Sequence, residues 1–493
     1  MLWLLSSIIL IFTIYLCLTR TYGYWEKRGI PYVKPILLFG SYGIQWNKPQ
    51  GYVELEWCQK YGRIFGIFEG RKPILILAEP ALIKDVFVRD FQVFSSPRDL
   101  KFGNPIIDRM LVSLDSEEWK RVRTIMTPTF SSGKIKTMCY LIKECALALK
   151  NNFSFEARKE KEIECGRLFG AFTIDVIARC AFGTRLDSFN DPDNPFVEAV
   201  RHLFSKRTWR VTFAFSVPRL AKLFRLSLFS PKVISFFKQL VLQLIEERKK
   251  EPKSIKKDFL QLLLDANEEN VETSNNQERR KVLSLDEIVA QCILFILAGY
   301  HTTTNTLILT AYNLALNEDC QQRLIEEIDA TTKNSEDSSF SYVNDMKYLE
   351  AAINESLRFC CPVPRIERRP VRDIKLSNTE IVIPKGMLVA VPVYAMHHNP
   401  EWYSNPEIYD PTRFLPENKS FIEPYTFLPF GAGPRKCLGR RFAMMEMKIC
   451  LITLLTHFRF LKCPSTKIPL QFYGGLGLHR PKDVMIRIEE RNS

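Results

Sequence analysis

Most of this chain repeats apolar residues at helical spacing, and a few short apolar runs sit between turn residues. Met1–Leu18, MLWLLSSIILIFTIYLCL, carries no charge and, at about 1.5 Å per helical residue, nearly crosses a bilayer. Tyr22, Tyr24 and Trp25 follow at interface depth, with Arg20, Lys27 and Arg28 among and behind them. A positive C-terminal flank keeps the following chain on the cytosolic side. A cleaved signal peptide would need a basic leading segment and a clear small-x-small cleavage site, which this stretch lacks.

Further along, Ser284 and Glu287 form a capping-box pattern. The apolar spacing after them continues to about Asn317, which predicts a helix on the order of 50 Å long. Another helix is predicted over Leu438–Phe458. Arg63–Phe68 and Pro73–Leu77 read as strands around a Glu69-Gly70-Arg71 turn. A second strand pair is expected at Glu380–Ile383 and Met387–Val391, joined by Pro384-Lys385-Gly386. Ala266–Lys281, ANEENVETSNNQERRK, is nearly free of apolar residues and reads as a loop between helices. No interdomain linker stands out. The expected chain is therefore mainly α with small β-sheets, divided into a membrane anchor (1–20), a proline-containing hinge (21–35) and one large domain (36–493).

A hydrophobic content of 46% over 493 residues supports a large core. The net charge of +14 favours anionic surfaces. No basic block with interleaved aromatics accompanies it, so no nucleic-acid partner is expected. Thirteen cysteines, scattered without any CxxC pair, indicate free thiols in a reducing compartment rather than a disulfide framework.

The densest chemical signal is Phe427–Ala443, FLPFGAGPRKCLGRRFA. A Gly431-Ala432-Gly433-Pro434 turn leads through Arg435-Lys436 to Cys437, directly before a predicted helix. That position favours an anionic sulfur, and a thiolate is an electron-donating ligand for haem iron. Phe430, Gly433, Arg435, Cys437 and Gly439 together resemble the haem-binding loop of the cytochrome P450 superfamily, Phe-x-x-Gly-x-Arg-x-Cys-x-Gly. The resemblance covers essentially the whole chain and is nearest to the clan containing the family-3 drug-metabolising enzymes.

It implies the cytochrome P450 fold behind one N-terminal transmembrane helix, with heme b (iron protoporphyrin IX) bound to Cys437. Ala298-Gly299 and Thr302 match the oxygen-binding kink of the family's long central helix, with Ala298 against the haem and Thr302 delivering protons. His301 stands where the family usually has Asp or Glu, and is expected to act as a substitute relay with pH-sensitive coupling. Glu355 and Arg358 match the Glu-x-x-Arg pair, and Arg413 its downstream partner, with Thr412 where Glu is commoner. Trp119 and Arg123, with Arg98, Arg368 and Arg435, are the implied partners of the haem propionates, and Phe430 belongs to the haem loop. Phe213–Phe237 resembles the roof of the substrate cavity, partly dipped into the membrane.

The resemblance further implies a monooxygenase of lipophilic small molecules (xenobiotics, steroids or fatty-acid-like compounds) on the endoplasmic reticulum membrane. No flavin- or nicotinamide-binding segment is evident, so electrons are expected from a NADPH-dependent cytochrome P450 reductase, with cytochrome b5 as a further partner. Docking is expected near Lys436, Arg440 and Arg441. Two alternatives stay open at this level: a haem-thiolate isomerase or dehydratase of oxidised lipids, and a non-catalytic haem ligand sensor.

Overall fold

The computed structural model describes residues 2–99, 104–159, 162–203, 229–250, 258–272, 282–333 and 341–491. Its axis is the helix Leu285–Leu316. The helix starts where the sequence places it. The Ser284 hydroxyl accepts the Glu287 N–H at 3.3 Å, and the Glu287 carboxylate accepts the Ser284 N–H at 2.8 Å. Both partners of the capping box are therefore present. The helix Cys165–Phe182 packs along it and is buried on nearly every face. Ser132–Ala157 covers that helix from the other side and in turn holds Arg440–Leu455. An element apolar all round needs cover all round, and Cys165–Phe182 finds it between the long helix and Ser132–Ala157, with Phe259–Glu272 adding to it.

The main sheet has four strands in the order β1 (Ile64–Glu69), β2 (Lys72–Leu77), β7 (Leu388–Val391) and β4 (Ile366–Arg368). β1 and β2 form the expected hairpin, with Ile64 opposite Leu77 and Glu69 opposite Lys72. The second expected hairpin does not form. β7 pairs in parallel with β2 and antiparallel with β4, whereas β6 (Val382–Ile383) pairs with β5 (Ile374–Lys375). All four residues of β7 are buried, so it needs a central place between two strands. β6, with one exposed and one buried residue, suits a two-stranded edge. A third sheet runs β3 (Ile163–Glu164), β9 (Met485–Glu490), β8 (Phe458–Leu461).

The expected loop at Ala266–Lys281 is also corrected in part: the helix Phe259–Glu272 continues through Ala266–Glu272. Asn267 explains the extension, because its side-chain amide bonds both backbone groups of Leu283, at 2.5 and 3.3 Å. Residues 273–281 lie outside the described residues, as do 213–228 of the expected cavity roof.

Leu2–Thr19 is an 18-residue helix whose Trp3, Ile8, Ile11 and Phe12 are all more than half exposed. Among the described residues, only Leu285–Leu316 is long and apolar enough to cross a membrane, and 67% of its apolar stretch is buried in the protein core.

Candidate active site

The loop before the last long helix is held by its own backbone. The Gly431 N–H donates to the Leu428 carbonyl at 3.0 Å, the Lys436 N–H to Gly433 at 3.1 Å, and the Cys437 N–H to Phe430 at 2.8 Å. Gly433 has φ +69°, and a Cβ there would stand 1.8 Å from the Phe87 carbonyl oxygen. A left-handed alanine costs about 1–2 kcal/mol before that clash is counted. Gly433→Ala is therefore expected to lower both the melting temperature and the haem-to-protein ratio of the purified protein. Wild-type values for both would contradict the close approach.

All thirteen cysteines are free, and only Cys17 in the first helix and Cys437 are exposed. The helix after Cys437 spans Arg440–Leu455, with Gly439 as its cap, shorter at both ends than expected. The N–H groups of Gly439 and Arg440, and the Arg123 and Arg440 charges, favour the anionic form of the sulfur. Even so, desolvation is the largest influence and raises the thiol above its ordinary value. The helix terminus favours the anionic sulfur, as the sequence reading has it, but does not by itself outweigh desolvation. A bound metal cation would, since a coordinating thiol is deprotonated.

Phe295, one turn before Ala298, packs edge-on against Phe442, just after Gly439, with ring centroids 5.7 Å apart. This contact lays the middle of the long helix beside the cysteine loop. There Ala298 is exposed between the buried Leu297 and the half-buried Gly299, and Gly299 admits the Ile177 side chain, whose Cδ1 lies 3.4 Å from a built Cβ. The Thr302 hydroxyl donates to the Ala298 carbonyl at 2.6 Å, and Thr306 repeats the pattern onto Thr302 at 2.8 Å. The helix remains unbroken through these bonds. Burial, aided by the Arg480 charge, pushes His301 down to about 3. Its imidazole is neutral across the physiological range, so the expectation of pH-sensitive relay near neutrality is corrected. The sign for stability follows: the unfolded ring takes a proton near pH 6.5 and the folded one near 3. This contribution is complete above about pH 6.5 and is lost as pH falls towards 3.

Of the five predicted propionate partners, Trp119 and three of the four arginines converge. The Arg435 guanidinium lies 4.5 Å from the Trp119 ring centroid and Arg123 lies 5.8 Å from it. Arg435 donates to the Leu114 carbonyl at 2.7 Å, and Arg368 stacks over Phe87 at 4.6 Å. Burial first, then the Arg368 charge, brings Arg435 down to about 9, and burial brings Arg368 to about 10. The Nε atoms of Arg368 and Arg435 are buried with no hydrogen-bond partner. Arg98 does not join them. Its guanidinium is committed to Glu69 and Glu367, in a buried network that Arg365 and Glu54 complete.

The Glu-x-x-Arg trio is assembled. Arg358 grips both Glu355 oxygens at 2.8 Å, and Arg413 Nε stands 3.6 Å from Glu355 Oε1. Sequence reasoning missed His397. Arg358 donates to the His397 carbonyl at 2.9 Å, while His397 Nε2 accepts the Leu428 N–H at 3.0 Å. The trio is thus tied to the start of the cysteine loop through one fully buried histidine.

A family model for cytochrome P450 matches residues 28–487. The chain belongs to the cytochrome P450 family. It is 38% identical to cytochrome P450 3A41 of Mus musculus, over 99% of this chain and 97% of that protein. Cytochrome P450 3A12 of Canis lupus familiaris gives the same identity and coverage, and cytochrome P450 3A7 of Homo sapiens is 37% identical with that coverage. As a cytochrome P450 the protein is a haem monooxygenase, and members of the family bind haem b through a cysteine thiolate. The residues present fit that group. One exposed cysteine with N–H groups at its sulfur suits the iron. Three mutually repelling arginines, two with orphaned N–H groups, suit two carboxylates.

Proposed function

We propose that this cytochrome P450 inserts one oxygen atom from O2 into lipophilic small molecules, with Cys437 as the residue whose sulfur would hold the haem iron. The observation that carries the assignment is Cys437, exposed in its glycine-shaped loop beside the exposed Ala298 of the long helix. Haem, when bound, supplies oxygen activation with two electrons and two protons, giving hydroxylated product and water. Arg123, Arg368 and Arg435 hold its propionates, with Trp119 as the platform under two of the guanidiniums. Phe430 anchors the loop by accepting the Cys437 N–H on its carbonyl. Glu355, Arg358 and Arg413 brace the loop from behind.

Thr302 holds a hydroxyl proton on the Ala298 carbonyl and can turn it towards the cleft. His301, kept neutral, retains one N–H and one lone pair and so can accept and release a proton without a net charge change. Electrons come from an NADPH-dependent reductase, with cytochrome b5 as a further donor. Both dock at the exposed Lys436, Arg440 and Arg441. Leu2–Thr19 anchors the protein in the endoplasmic reticulum membrane with the catalytic domain on the cytosolic face, as its exposed apolar side chains support.

The test is reconstitution with reductase and NADPH on a panel of lipophilic substrates, measuring NADPH consumed, product and peroxide. Substantial product per NADPH is expected, and haem reduction that yields only peroxide on every substrate would overturn the reading. In the same assay, product per NADPH should show no titration near pH 6.5 in wild type or in His301→Gln. A break near that pH in wild type, absent from the variant, would show that His301 titrates after all.

A further inference from the structure

Close to the long helix, the chain turns back on itself between Phe472 and Pro481, which are bridged antiparallel. This pairing sets Tyr473 opposite Arg480, where the Tyr473 N–H donates to the Arg480 carbonyl at 2.9 Å. Paired residues share a face. One face of the ribbon carries Phe472 and His479, which pack on each other at 5.9 Å and both on Tyr52. The other carries Tyr473, with the Arg480 guanidinium 5.5 Å and the Lys482 ammonium 5.4 Å from its ring centroid. The ribbon is tied to the long helix one turn past His301, because Asn305 donates its side-chain N–H to the His479 carbonyl at 2.8 Å.

Arg480 is partly buried, yet among the described residues it forms no ion pair. The only described acid beside it in sequence, Asp483, points to Lys467 at 3.9 Å. Elsewhere in this protein partly buried arginines are matched: Arg248 with Asp258, Arg98 and Arg365 with three glutamates, Arg491 with Asp329. Besides Arg480, the unmatched ones are the arginines of the haem site and Arg71, Arg109 and Arg459; Arg109 bonds the Pro105 carbonyl and Arg459 bonds Gln322, whereas Arg480 shares its face with a second cation, Lys482. A half-buried guanidinium with no carboxylate beside it is open to one supplied by a ligand. The Asn305–His479 bond sets Arg480 one residue from the long helix, one turn past His301, and its charge acts on His301 there.

We propose that Arg480, with Lys482 and the Tyr473 ring, receives the carboxylate of an amphiphilic substrate, so that the enzyme prefers lipophilic carboxylic acids over their neutral analogues. The inference rests on the monooxygenase reading for its meaning, but not for its test. The guanidinium fork matches a carboxylate with two donors. Tyr473, 38% exposed, offers an apolar wall to the first carbons of the chain.

The experiment is equilibrium dialysis of labelled dodecanoic acid and dodecan-1-ol against the full-length holoenzyme near neutral pH. Wild type should bind the acid more tightly. Arg480→Gln should reduce the acid-to-alcohol affinity ratio about tenfold, equivalent to about 1.4 kcal/mol, and Arg480→Lys by less. The alcohol controls for misfolding, because a damaged variant loses both ligands. An unchanged ratio in Arg480→Gln, or no acid preference in wild type, would overturn the proposal. Product from a neutral substrate without acid preference sinks this inference alone. Acid preference with no product from any substrate sinks the monooxygenase reading instead.

Discussion

Arg358→Ala is expected to purify almost free of haem. The Arg358 side chain is fully buried and makes five hydrogen bonds: two to Glu355, and one each to the carbonyls of His397, Pro406 and Ile408. Removing it strands the Glu355 carboxylate, also fully buried, with Arg413 at 3.6 Å as its remaining cation. Breaking one half of a buried ion pair costs about 3–5 kcal/mol, a large share of the roughly 5–15 kcal/mol that holds a domain together. The damage also has a direction. The His397 carbonyl loses its donor, and the same residue's ring positions Leu428, whose carbonyl receives Gly431 at the start of the cysteine loop. Haem content should therefore fall by about tenfold or more, since each 1.4 kcal/mol is worth a factor of ten. Arg358→Lys should recover little, because an ammonium cannot span two carboxylate oxygens and three carbonyls. The haem-to-protein absorbance ratio decides it: full haem content in Arg358→Ala would show that the trio does not brace the loop.

What could be read from the sequence was what is local in it. The capping box of Ser284 and Glu287, the β1–β2 hairpin and the Trp119–Arg123 spacing each depend on residues a few positions apart, and each is found. The misreadings came from partners that are distant in sequence. Arg98 looked like a propionate ligand until strands β1 and β4 brought Glu69 and Glu367 to it. Met387–Val391 looked like half of a hairpin because a Pro-Lys-Gly turn precedes it. Its continuous burial instead draws it between β2 and β4, more than three hundred positions from β2 in the chain. Ala266–Glu272 lacks an apolar stripe, but alanine and glutamate are good helix formers and Asn267 fixes the end. His397 gave no sequence signal, since its role depends on two hydrogen bonds to residues 39 and 31 positions away. Desolvation also changes two electrostatic balances: at Cys437 it outweighs the helix terminus that favours the anion, and it silences His301 as a titrating group.

Cys437→Ser separates ligation from folding. Serine nearly matches the size of cysteine and can still accept the Gly439 and Arg440 N–H groups, so the loop should keep its shape and the melting temperature of the protein without haem should change little. An alcohol at this site stays protonated far more stubbornly than a thiol already raised by burial. Reductase-supported product formation should drop by at least about a thousandfold, equivalent to about 4 kcal/mol. The reduced carbon monoxide spectrum should lose its thiolate-type band. A thiolate-type spectrum in Cys437→Ser would mean that another cysteine holds the iron. The remaining candidates make that outcome a severe test: apart from Cys17, on the first helix, every other cysteine is buried or partly buried. Reaching the buried ones would require opening the packed core, so ligation by one of them would contradict the fold as well as the assignment.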